Sequence, residues 1–354
     1  MERRLLWRIA KKREETPEAV TLVLEPVGGE TVAYEPGQYL PLIRTFGSRE
    51  ERRAYSFSSC PGVDVLPALT VKRIPNGLFS TWLVRQARAG DMLESAEPAG
   101  RFLLPAQRPE RLLYVAAGSG ITPILSHLKA IFQKKDWSDV PLRLLYANRD
   151  SAHTIFKKQI DDWIAAWPER FEATYFFSRE RGAAHAEHAH LNNALLERHL
   201  LDFVGGRANA SARSSLLTYL CAPTPLMRMA RMTMRTLGFP DERILQETFT
   251  PDPRLQRRQP DPSRRHHIVV ALPDSQRVAF DTFEGETILQ AALRQGIALP
   301  YTCKSGVCLS CLARCVRGEV DVQFVEQTRR EGPGALVNTC IGYAVSDEVE
   351  LAIG

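Results

Sequence analysis

Four cysteines near the carboxyl end constrain this chain more than any other feature. Cys303, Cys308 and Cys311 follow a C-x4-C-x2-C spacing, and Cys340 lies downstream. Three thiolates in one loop and a fourth from further along the chain can surround the two irons of a [2Fe–2S] cluster. A disulfide, a zinc site and buried apolar thiols are the alternatives, but zinc sites usually pair two C-x2-C hooks, which this sequence lacks. We therefore predict that these four cysteines bind a [2Fe–2S] cluster.

The length and net charge of the chain limit the number of domains and the kinds of partner that it can have. The chain has 354 residues, 44% of them hydrophobic and 25% charged, with a formal net charge of +5. This length predicts two or three domains. The mild charge and the lack of a basic and aromatic stripe argue against nucleic acid as a partner, and no apolar run is long enough to cross a bilayer.

The start of the chain does not resemble a signal peptide, and Cys60, Cys221 and Cys315 are scattered, as free thiols in a reducing compartment would be. We predict a cytoplasmic protein without a membrane or nucleic-acid partner.

Residues 1–106 consist of short apolar runs separated by Gly and Pro, a pattern that predicts a small antiparallel β-barrel. One predicted strand carries Arg53-Ala54-Tyr55-Ser56, and the strand period of two places Arg53 and Tyr55 on the same face. A cation for a diphosphate and an aromatic ring for stacking would suit a flavin dinucleotide. An ordinary exposed strand with these residue types is the alternative.

A second motif in this segment lies at a predicted turn and helix. Gly77 occupies the turn, and the first turn of the helix carries Ser80 and Thr81. Free N–H groups and hydroxyls at a helix N-terminus form an anion site. An ordinary helix cap is the alternative.

Residues 107–250 alternate between strand and helix patterns, which predicts an α/β doubly wound parallel sheet. Gly118-Ser119-Gly120 follows a buried strand and precedes a helix, for which we predict Thr122 as the cap and Pro123 at the first position. Glycines let a backbone approach a diphosphate, and the helix N-terminus favours its charge. Because proline replaces the third glycine of G-x-G-x-x-G, this loop alone is weak evidence.

If the dinucleotide at this glycine loop is a nicotinamide cofactor, a later strand end bears on the choice between NADPH and NADH. Ser178 and Arg179 follow that strand, and an arginine can hold the 2′-phosphate of NADPH bidentately. Arg149, after the preceding strand, could assist it. A solvated loop is the alternative. The sequence favours NADPH, and NADH stays possible.

The remaining sequence divides into a connection and a third segment. Residues 251–266 are rich in Pro and Arg and predict a linker. Residues 267–354 predict a hairpin, an amphipathic helix and then the cysteine loop. Cys315 lies outside the ligand spacing, so we predict that it is a buried thiol and not a ligand.

Together these motifs resemble the ferredoxin–NADP reductase superfamily with a C-terminal plant-type ferredoxin domain. R-x-Y-S and G-x-x-S match its flavin motifs, and G-x-G-x-x-P matches its nucleotide loop. The segment Cys221-Ala222-Pro223-Thr224-Pro225-Leu226-Met227 resembles its C-G-P-x-x-M segment, with alanine in place of glycine. The chain is most similar in organisation to oxygenase reductase components, including phenylacetyl-CoA epoxidase reductase subunits. The resemblance implies an FAD-binding barrel in residues 1–106, a nicotinamide domain in 107–250 and an α+β (β-grasp) ferredoxin domain in 267–354.

The resemblance also implies a role for each matching residue. It places Ser56, Glu247 and Cys221 beside the reacting flavin and nicotinamide rings. It assigns cofactor binding to a larger set, namely Arg53, Tyr55, Ser56, Gly77, Ser80, Thr81, Gly118, Gly120, Thr122, Ser178, Arg179 and Phe249. The metal ligands that it implies are Cys303, Cys308, Cys311 and Cys340.

The same resemblance implies a path for electrons. NADPH gives a hydride to the FAD, single electrons pass to the [2Fe–2S] cluster, and an oxygenase or hydroxylase component accepts them. One alternative is an oxidoreductase that reduces a separate ferredoxin or a small molecule. Another is an iron–sulfur redox sensor, against which the intact flavin and nucleotide motifs argue.

Overall fold

The computed structural model describes residues 3–29, 32–47, 49–133, 137, 139–249, 258–273, 276–301, 304, 306, 310–323 and 328–353. These residues belong to two compact units, and the first of them is Arg4–Phe249. The second contains the described residues from Arg258 onward. In the described part of the chain, no helix has the length and apolar character needed to span a membrane.

The first unit begins with a six-stranded antiparallel sheet in the order β4-β3-β6-β1-β2-β5. Its strands are β1 (Leu5–Thr16), β2 (Ala19–Pro26), β3 (Tyr39–Phe46), β4 (Arg49–Ser56), β5 (Ala68–Lys72) and β6 (Met92–Ser95), with helix α1 (Leu78–Arg85) between the last two. Leu5, Trp7 and Ile9 alternate with exposed residues along β1 and are buried, because a strand points successive side chains to opposite faces. Past β4, Phe57 bridges Leu69 of β5, so the two edges of the sheet approach each other.

A six-stranded parallel sheet follows, in the order β10-β9-β8-β7-β11-β12. Its strands are β7 (Arg111–Ala117), β8 (Leu142–Asn148), β9 (Phe171–Phe177), β10 (Ala186–Glu187), β11 (Leu216–Cys221) and β12 (Ile244–Gln246). The helices are α2 (Ile121–Gln133), α3 (Lys157–Ala166), α4 (Asn193–Val204), α5 (Ala210–Ser215) and α6 (Thr224–Thr236). Helices α2 and α3 pack on one face, and α4 and α6 on the other. The strand order reverses between β7 and β11, which is where doubly wound sheets bind ligands.

Two local predictions in this sheet are wrong. Helix α2 begins at Ile121 directly after a 3-10 turn over Gly118–Gly120, so Thr122 lies inside the helix and does not cap it. Its hydroxyl donates to the Ser119 carbonyl oxygen at 2.9 Å. The sequence pattern over residues 244–249 also predicts a last strand of that length. The observed strand β12 ends at Gln246, so Glu247 and Phe249 follow it.

Polar contacts join the two sheets of the first unit. Ser126 Oγ donates to the Ser59 carbonyl oxygen, Lys129 Nζ lies 2.9 Å from Asp64 Oδ1, and Tyr219 donates to the Leu103 carbonyl oxygen at 2.7 Å. The Ser126 and Lys129 contacts connect α2 to the loop before β5. They hold the antiparallel sheet against the parallel sheet.

The second unit contains a five-stranded and a three-stranded sheet, in the orders β14-β13-β20-β15-β18 and β17-β16-β19. Its elements are β13 (Asp261–Ala271), β14 (Arg277–Glu284), α7 (Ile288–Arg294), β15 (Leu312–Arg317), β16 (Val320–Gln323), β17 (Thr328–Glu331), β18 (Leu336–Asn338), β19 (Gly342–Ala344) and β20 (Glu348–Ala352). Thr287 and Gln290 form a capping box that begins α7, satisfying two of its free N–H groups. The buried side of this helix packs on the unit's core.

The predicted linker, residues 251–266, does not extend through residues 261–266, because β13 begins at Asp261. Arg258 already packs on other residues of the second unit. Its guanidinium lies 4.7 Å from the Tyr343 ring centre and 3.4 Å from Asp321 Oδ2. Sequence composition missed the start of this strand because its first five residues are exposed and none of them is a large apolar residue. Asp261 pairs with Glu284 of β14 and Arg265 with Phe283, with a register shift between the two pairs. Residues 251–257 lie outside the described residues.

Candidate cofactor sites

The reversal point of the parallel sheet carries two predicted glycines. A Cβ at Gly120 would lie 1.8 Å from the Cys221 carbonyl oxygen, far inside van der Waals contact. The close approach arises because β7 and β11 are neighbours, with Ala116 paired to Cys221. Gly118 has a φ of +53°, which glycine adopts without strain. The two glycines thus form a turn of bare backbone before a helix N-terminus, as a diphosphate requires.

Three predicted residues from distant parts of the sequence meet beside this turn. Glu247 N donates to the Leu220 carbonyl oxygen at 2.9 Å, which holds Glu247 at the end of β11. Ser56 Oγ, at the end of β4, donates to Glu247 Oε2 at 3.2 Å across 191 residues of sequence. Cys221 is buried, and burial together with the charge of Glu247 raises the pKa of its thiol. The antiparallel and parallel sheets therefore share one polar site.

The carboxyl group of Glu247 titrates unusually. Burial raises its pKa from 4.5 to about 8, while the hydrogen bond from Ser56 opposes the shift. The effect of burial on the pKa is larger than that of the hydrogen bond, because burial removes water from the charged carboxylate. At neutral pH the folded chain therefore keeps a proton on Glu247.

This shift predicts a pH-dependent stability. Between about pH 4.5 and about pH 8 the folded state holds a proton that the unfolded state has lost, so the free energy of unfolding should fall as pH rises. Glu247→Gln should flatten that fall, since glutamine carries no charge in either state. Denaturant titrations across this pH range measure it, with exposed Glu110→Gln as the control. Parallel pH profiles for the parent chain and Glu247→Gln would contradict the shift.

The flavin motif on β4 has the predicted arrangement of faces. Arg53 and Tyr55 oppose Leu42 and Leu40 of β3, so their side chains share one side of the sheet. The Arg53 side chain is 55% exposed, with its Nη2 2.8 Å from Glu51 Oε2. Tyr55 is partly buried and packs edge-on against Phe79, with ring centres 6.1 Å apart.

The helix that follows begins at Leu78, and no side chain caps its N-terminus at Gly77. Ser80 lies in the first turn as predicted, but its hydroxyl is engaged in the turn: it accepts from Ile74 N at 3.1 Å. Thr81 is partly buried beside it. The N–H groups at the start of this helix are thus the main donors available to an anion.

Sequence reasoning missed Lys72, at the end of β5. Its Nζ lies 3.4 Å from the position of a Cβ on Gly118, so an amine from the antiparallel sheet reaches the glycine turn. Burial, and next the positive charge of Arg149, lower the pKa of this amine. No motif marks the residue. Its role depends on a contact between β5 and a turn 46 positions later.

The two arginines considered for the nucleotide lie at neighbouring strand ends. Arg179 N donates to the Arg149 carbonyl oxygen at 2.9 Å, and Ser178 N donates to the Asn148 carbonyl oxygen at 3.2 Å. Arg179 is exposed. The Arg149 guanidinium pairs with Glu18, at 2.7 Å. Phe249 is 45% exposed at the end of the first unit.

Two of the four predicted metal ligands lie in the described part of the chain. Cys311 and Cys340 are buried, and Gly306 N donates to Cys340 Sγ at 3.1 Å. Such N–H···S bonds stabilise thiolates around iron–sulfur clusters. Cys303 and Cys308 lie outside the described residues. The sulfur donors and the N–H donor fit a [2Fe–2S] cluster.

Cys315 is fully buried, as predicted for a thiol outside the motif. Its Sγ donates to the carbonyl oxygens of Arg317 and Gly318 at 3.6 and 3.4 Å. Both bonds link the Cys315 thiol to the turn that follows β15.

Comparison with known families agrees with both units. Residues 114–232 match the oxidoreductase NAD-binding domain, and residues 272–345 match the 2Fe-2S iron-sulfur cluster binding domain. Together with the site at the sheet reversal, these matches define an oxidoreductase that takes a pyridine nucleotide and a [2Fe–2S] cluster.

Whole-chain relatives specify the family. One subunit of the 1,2-phenylacetyl-CoA epoxidase of Escherichia coli K12 is 33% identical over 323 residues, which cover 89% of this chain and 87% of that protein. The ferredoxin reductase component of 3-ketosteroid-9-alpha-monooxygenase from Mycolicibacterium smegmatis is 29% identical over 97% of this chain and 95% of that protein. Phthalate dioxygenase reductase has the same fold, with a TM-score of 0.59 and 21% identity over 99% of this chain and 98% of that one. The chain belongs to the family of oxygenase reductase components that includes this epoxidase protein.

Proposed function

We propose that this chain is the reductase component of an oxygenase system and passes electrons from NADPH through FAD and the [2Fe–2S] cluster to an oxygenase. The observation that carries the proposal is the meeting of Ser56 and Glu247 beside the Gly118–Gly120 turn. It joins the flavin motif and the nucleotide motif in one site. The names of the relatives, which refer to an epoxidase and to a monooxygenase reductase component, support an oxygenase as the acceptor.

The residues of the antiparallel sheet suit the flavin dinucleotide. The exposed guanidinium of Arg53 and the free N–H groups after Gly77 would hold its diphosphate. Ser80 would shape the turn and Thr81 would line it, and the Tyr55 ring would pack against the isoalloxazine. When bound, FAD accepts two electrons as a hydride and returns them one at a time.

The residues at the sheet reversal suit the nicotinamide end. Gly118 and Gly120 would admit the diphosphate of the nucleotide, and Thr122 would fix the turn through its bond to Ser119. Cys221 stays a neutral thiol, which avoids a charge next to the ring. Glu247 holds its proton within hydrogen-bond distance of Ser56, so that the pair can orient the flavin edge without a buried charge. Phe249 follows as an exposed ring that can cover the flavin.

The choice of NADPH over NADH forms part of the proposal. Ser178 and Arg179 follow β9, and the exposed Arg179 would read the 2′-phosphate. Cys303 and Cys308 would complete the cluster that Cys311 and Cys340 begin. Lys72 adds a cation beside the diphosphate turn.

The finer architecture is also proposed. Residues 1–106 form the FAD barrel, and Ser58 N donating to the Ala68 carbonyl oxygen at 2.9 Å supports its closure. Residues 107–250 form the nicotinamide domain. The iron–sulfur domain, of the β-grasp type, begins near Arg258, with α7 packed on a mixed sheet. The thiols of Cys221 and Cys315, which form no disulfide, support a reducing, cytoplasmic location.

The test is capture followed by turnover. The tagged holoprotein would be used to capture its acceptor from an extract of the source organism, and the captured protein would then be assayed for NADPH-dependent oxygen consumption with its substrate. An oxygenase that turns over only with this chain is expected. Capture of a separate ferredoxin, or rapid turnover with a free small-molecule acceptor alone, would contradict the oxygenase role. Failure of NADPH to reduce the flavin would contradict the reductase role and favour a sensor.

A further inference from the structure

Glu18, in the turn between β1 and β2, places one carboxylate between two guanidinium groups. Its Oε2 accepts from Arg149 Nη2 at 2.7 Å, and its Oε1 lies 3.5 Å from Arg73 Nη2. Glu18 and Arg73 belong to the antiparallel sheet, whereas Arg149 follows β8 of the nucleotide sheet. The carboxylate therefore reaches across the cleft between the two sheets and engages an arginine at a nucleotide strand end.

The surroundings of this carboxylate are cationic. Lys72 Nζ borders the Gly118 turn. Burial, and next the positive charge of Arg149, lower the pKa of this amine, whereas the charge of Glu18 raises it. Glu18 thus lies among three cations, Lys72, Arg73 and Arg149, and Asp150 is a second carboxylate near Arg149. The Glu18 and Arg149 side chains are 27% and 37% exposed, so solvent screens their interaction less than it would screen a fully exposed pair.

Arg149 is also next to the proposed reader of the 2′-phosphate. The backbone of Arg179 bonds to that of Arg149, so the two side chains leave adjacent strand ends. A phosphate at this edge would attract both guanidiniums. One of them is already engaged by Glu18 through Nη2.

We propose that Glu18 competes with the 2′-phosphate of NADPH for Arg149 and thereby limits the affinity of the chain for NADPH relative to NADH. The inference rests on the proposed function of the nucleotide site. A phosphate that enters must share or displace the carboxylate, and Glu18 recaptures Arg149 when NADP⁺ leaves. The ion pair thus weakens NADP⁺ binding and favours product release.

The experiment measures binding of NADP⁺ and NAD⁺ to the oxidised holoprotein by isothermal titration calorimetry at low ionic strength. Glu18→Gln keeps the shape of the side chain and removes its charge. We expect its Kd for NADP⁺ to fall about fivefold and its Kd for NAD⁺ to change less than about twofold, as expected for a partly screened ion pair. In an Arg149→Ala background, Glu18→Gln should change neither value, because the competition acts through Arg149.

Glu25→Gln is the matched control. Glu25 lies on β2 and pairs with Arg8 on β1, so the change in net charge is the same but the site is not touched. Its Kd values should equal those of the parent. A change equal to that of Glu18→Gln would mean that net charge alone is responsible, which would overturn the proposal.

Two further outcomes would also overturn it. Weaker NADP⁺ binding by Glu18→Gln would mean that Glu18 positions Arg149 for the phosphate and does not compete with it. Equal tightening for NADP⁺ and NAD⁺ would mean that Glu18 acts on the diphosphate. Arg179→Ala separates this inference from the proposed function: if that variant weakens NADP⁺ and NAD⁺ equally, the proposed NADPH preference fails whatever Glu18 does.

Discussion

Replacing Cys340 with serine is expected to abolish the [2Fe–2S] cluster and leave reduction of the FAD by NADPH nearly unchanged. Cys340 is buried and its sulfur accepts from Gly306 N, so a serine there offers a poor iron ligand in a site built for a thiolate. The flavin and nucleotide motifs lie in the other compact unit, and effects at separate sites are usually independent. The flavin rate should therefore stay within about twofold of the parent.

Iron analysis and electron paramagnetic resonance of the reduced protein measure the cluster, and stopped-flow absorbance measures the flavin. Cys315→Ser is the matched control. It removes another buried thiol from the same unit, and serine can still donate to the carbonyl oxygens of Arg317 and Gly318. This control should keep its cluster. Loss of the cluster in Cys315→Ser would show that the ligand set is wrong, and loss of flavin reduction in Cys340→Ser would contradict the modular scheme.

Gly120→Ala is expected to lower both the free energy of unfolding and kcat/KM for NADPH. The added Cβ would fall 1.8 Å from the Cys221 carbonyl oxygen and 2.6 Å from its carbon, and both are backbone atoms that cannot rotate away. The ends of β7 and β11 must then separate. Overpacking of this kind costs about 1–3 kcal/mol in the free energy of unfolding.

The same displacement moves the glycine turn relative to Ser56 and Glu247. Displacing reacting groups by about 1 Å can lower a reaction rate about a hundredfold. We therefore expect kcat/KM for NADPH to fall about a hundredfold. Denaturant unfolding and steady-state kinetics measure the two effects. Gly332→Ala is the control, because a Cβ there meets no atom within 4 Å and its φ is not positive. Parent-like stability and kinetics in Gly120→Ala would show that the close approach at β11 is not maintained in solution.

The sequence located most of the elements because their signals are local. The apolar run over residues 112–117 became β7, and the alternation over residues 267–280 became the hairpin of β13 and β14. The start of α2 was misjudged, since Thr122 and Pro123 form a plausible cap and first position, but a 3-10 turn over Gly118–Gly120 joins the helix directly. The start of β13 was missed because it depends on the pairs that Asp261 and Arg265 make with β14 across a register shift, which no local pattern records.

The sequence by itself determined which residue types are present and in what order: the cysteine spacing, the two glycines, the R-x-Y-S strand and the alternation of strands and helices. These follow from spacing and propensity within a few residues. Tertiary structure alone decided which of them meet. Ser56 reaches Glu247, Lys72 reaches Gly118 and Glu18 reaches Arg149 because one sheet packs against the edge of another. Such contacts depend on the three-dimensional path of the backbone, so the raised pKa of Glu247 and the ion pair of Arg149 with Glu18 could be assigned only from the folded structure.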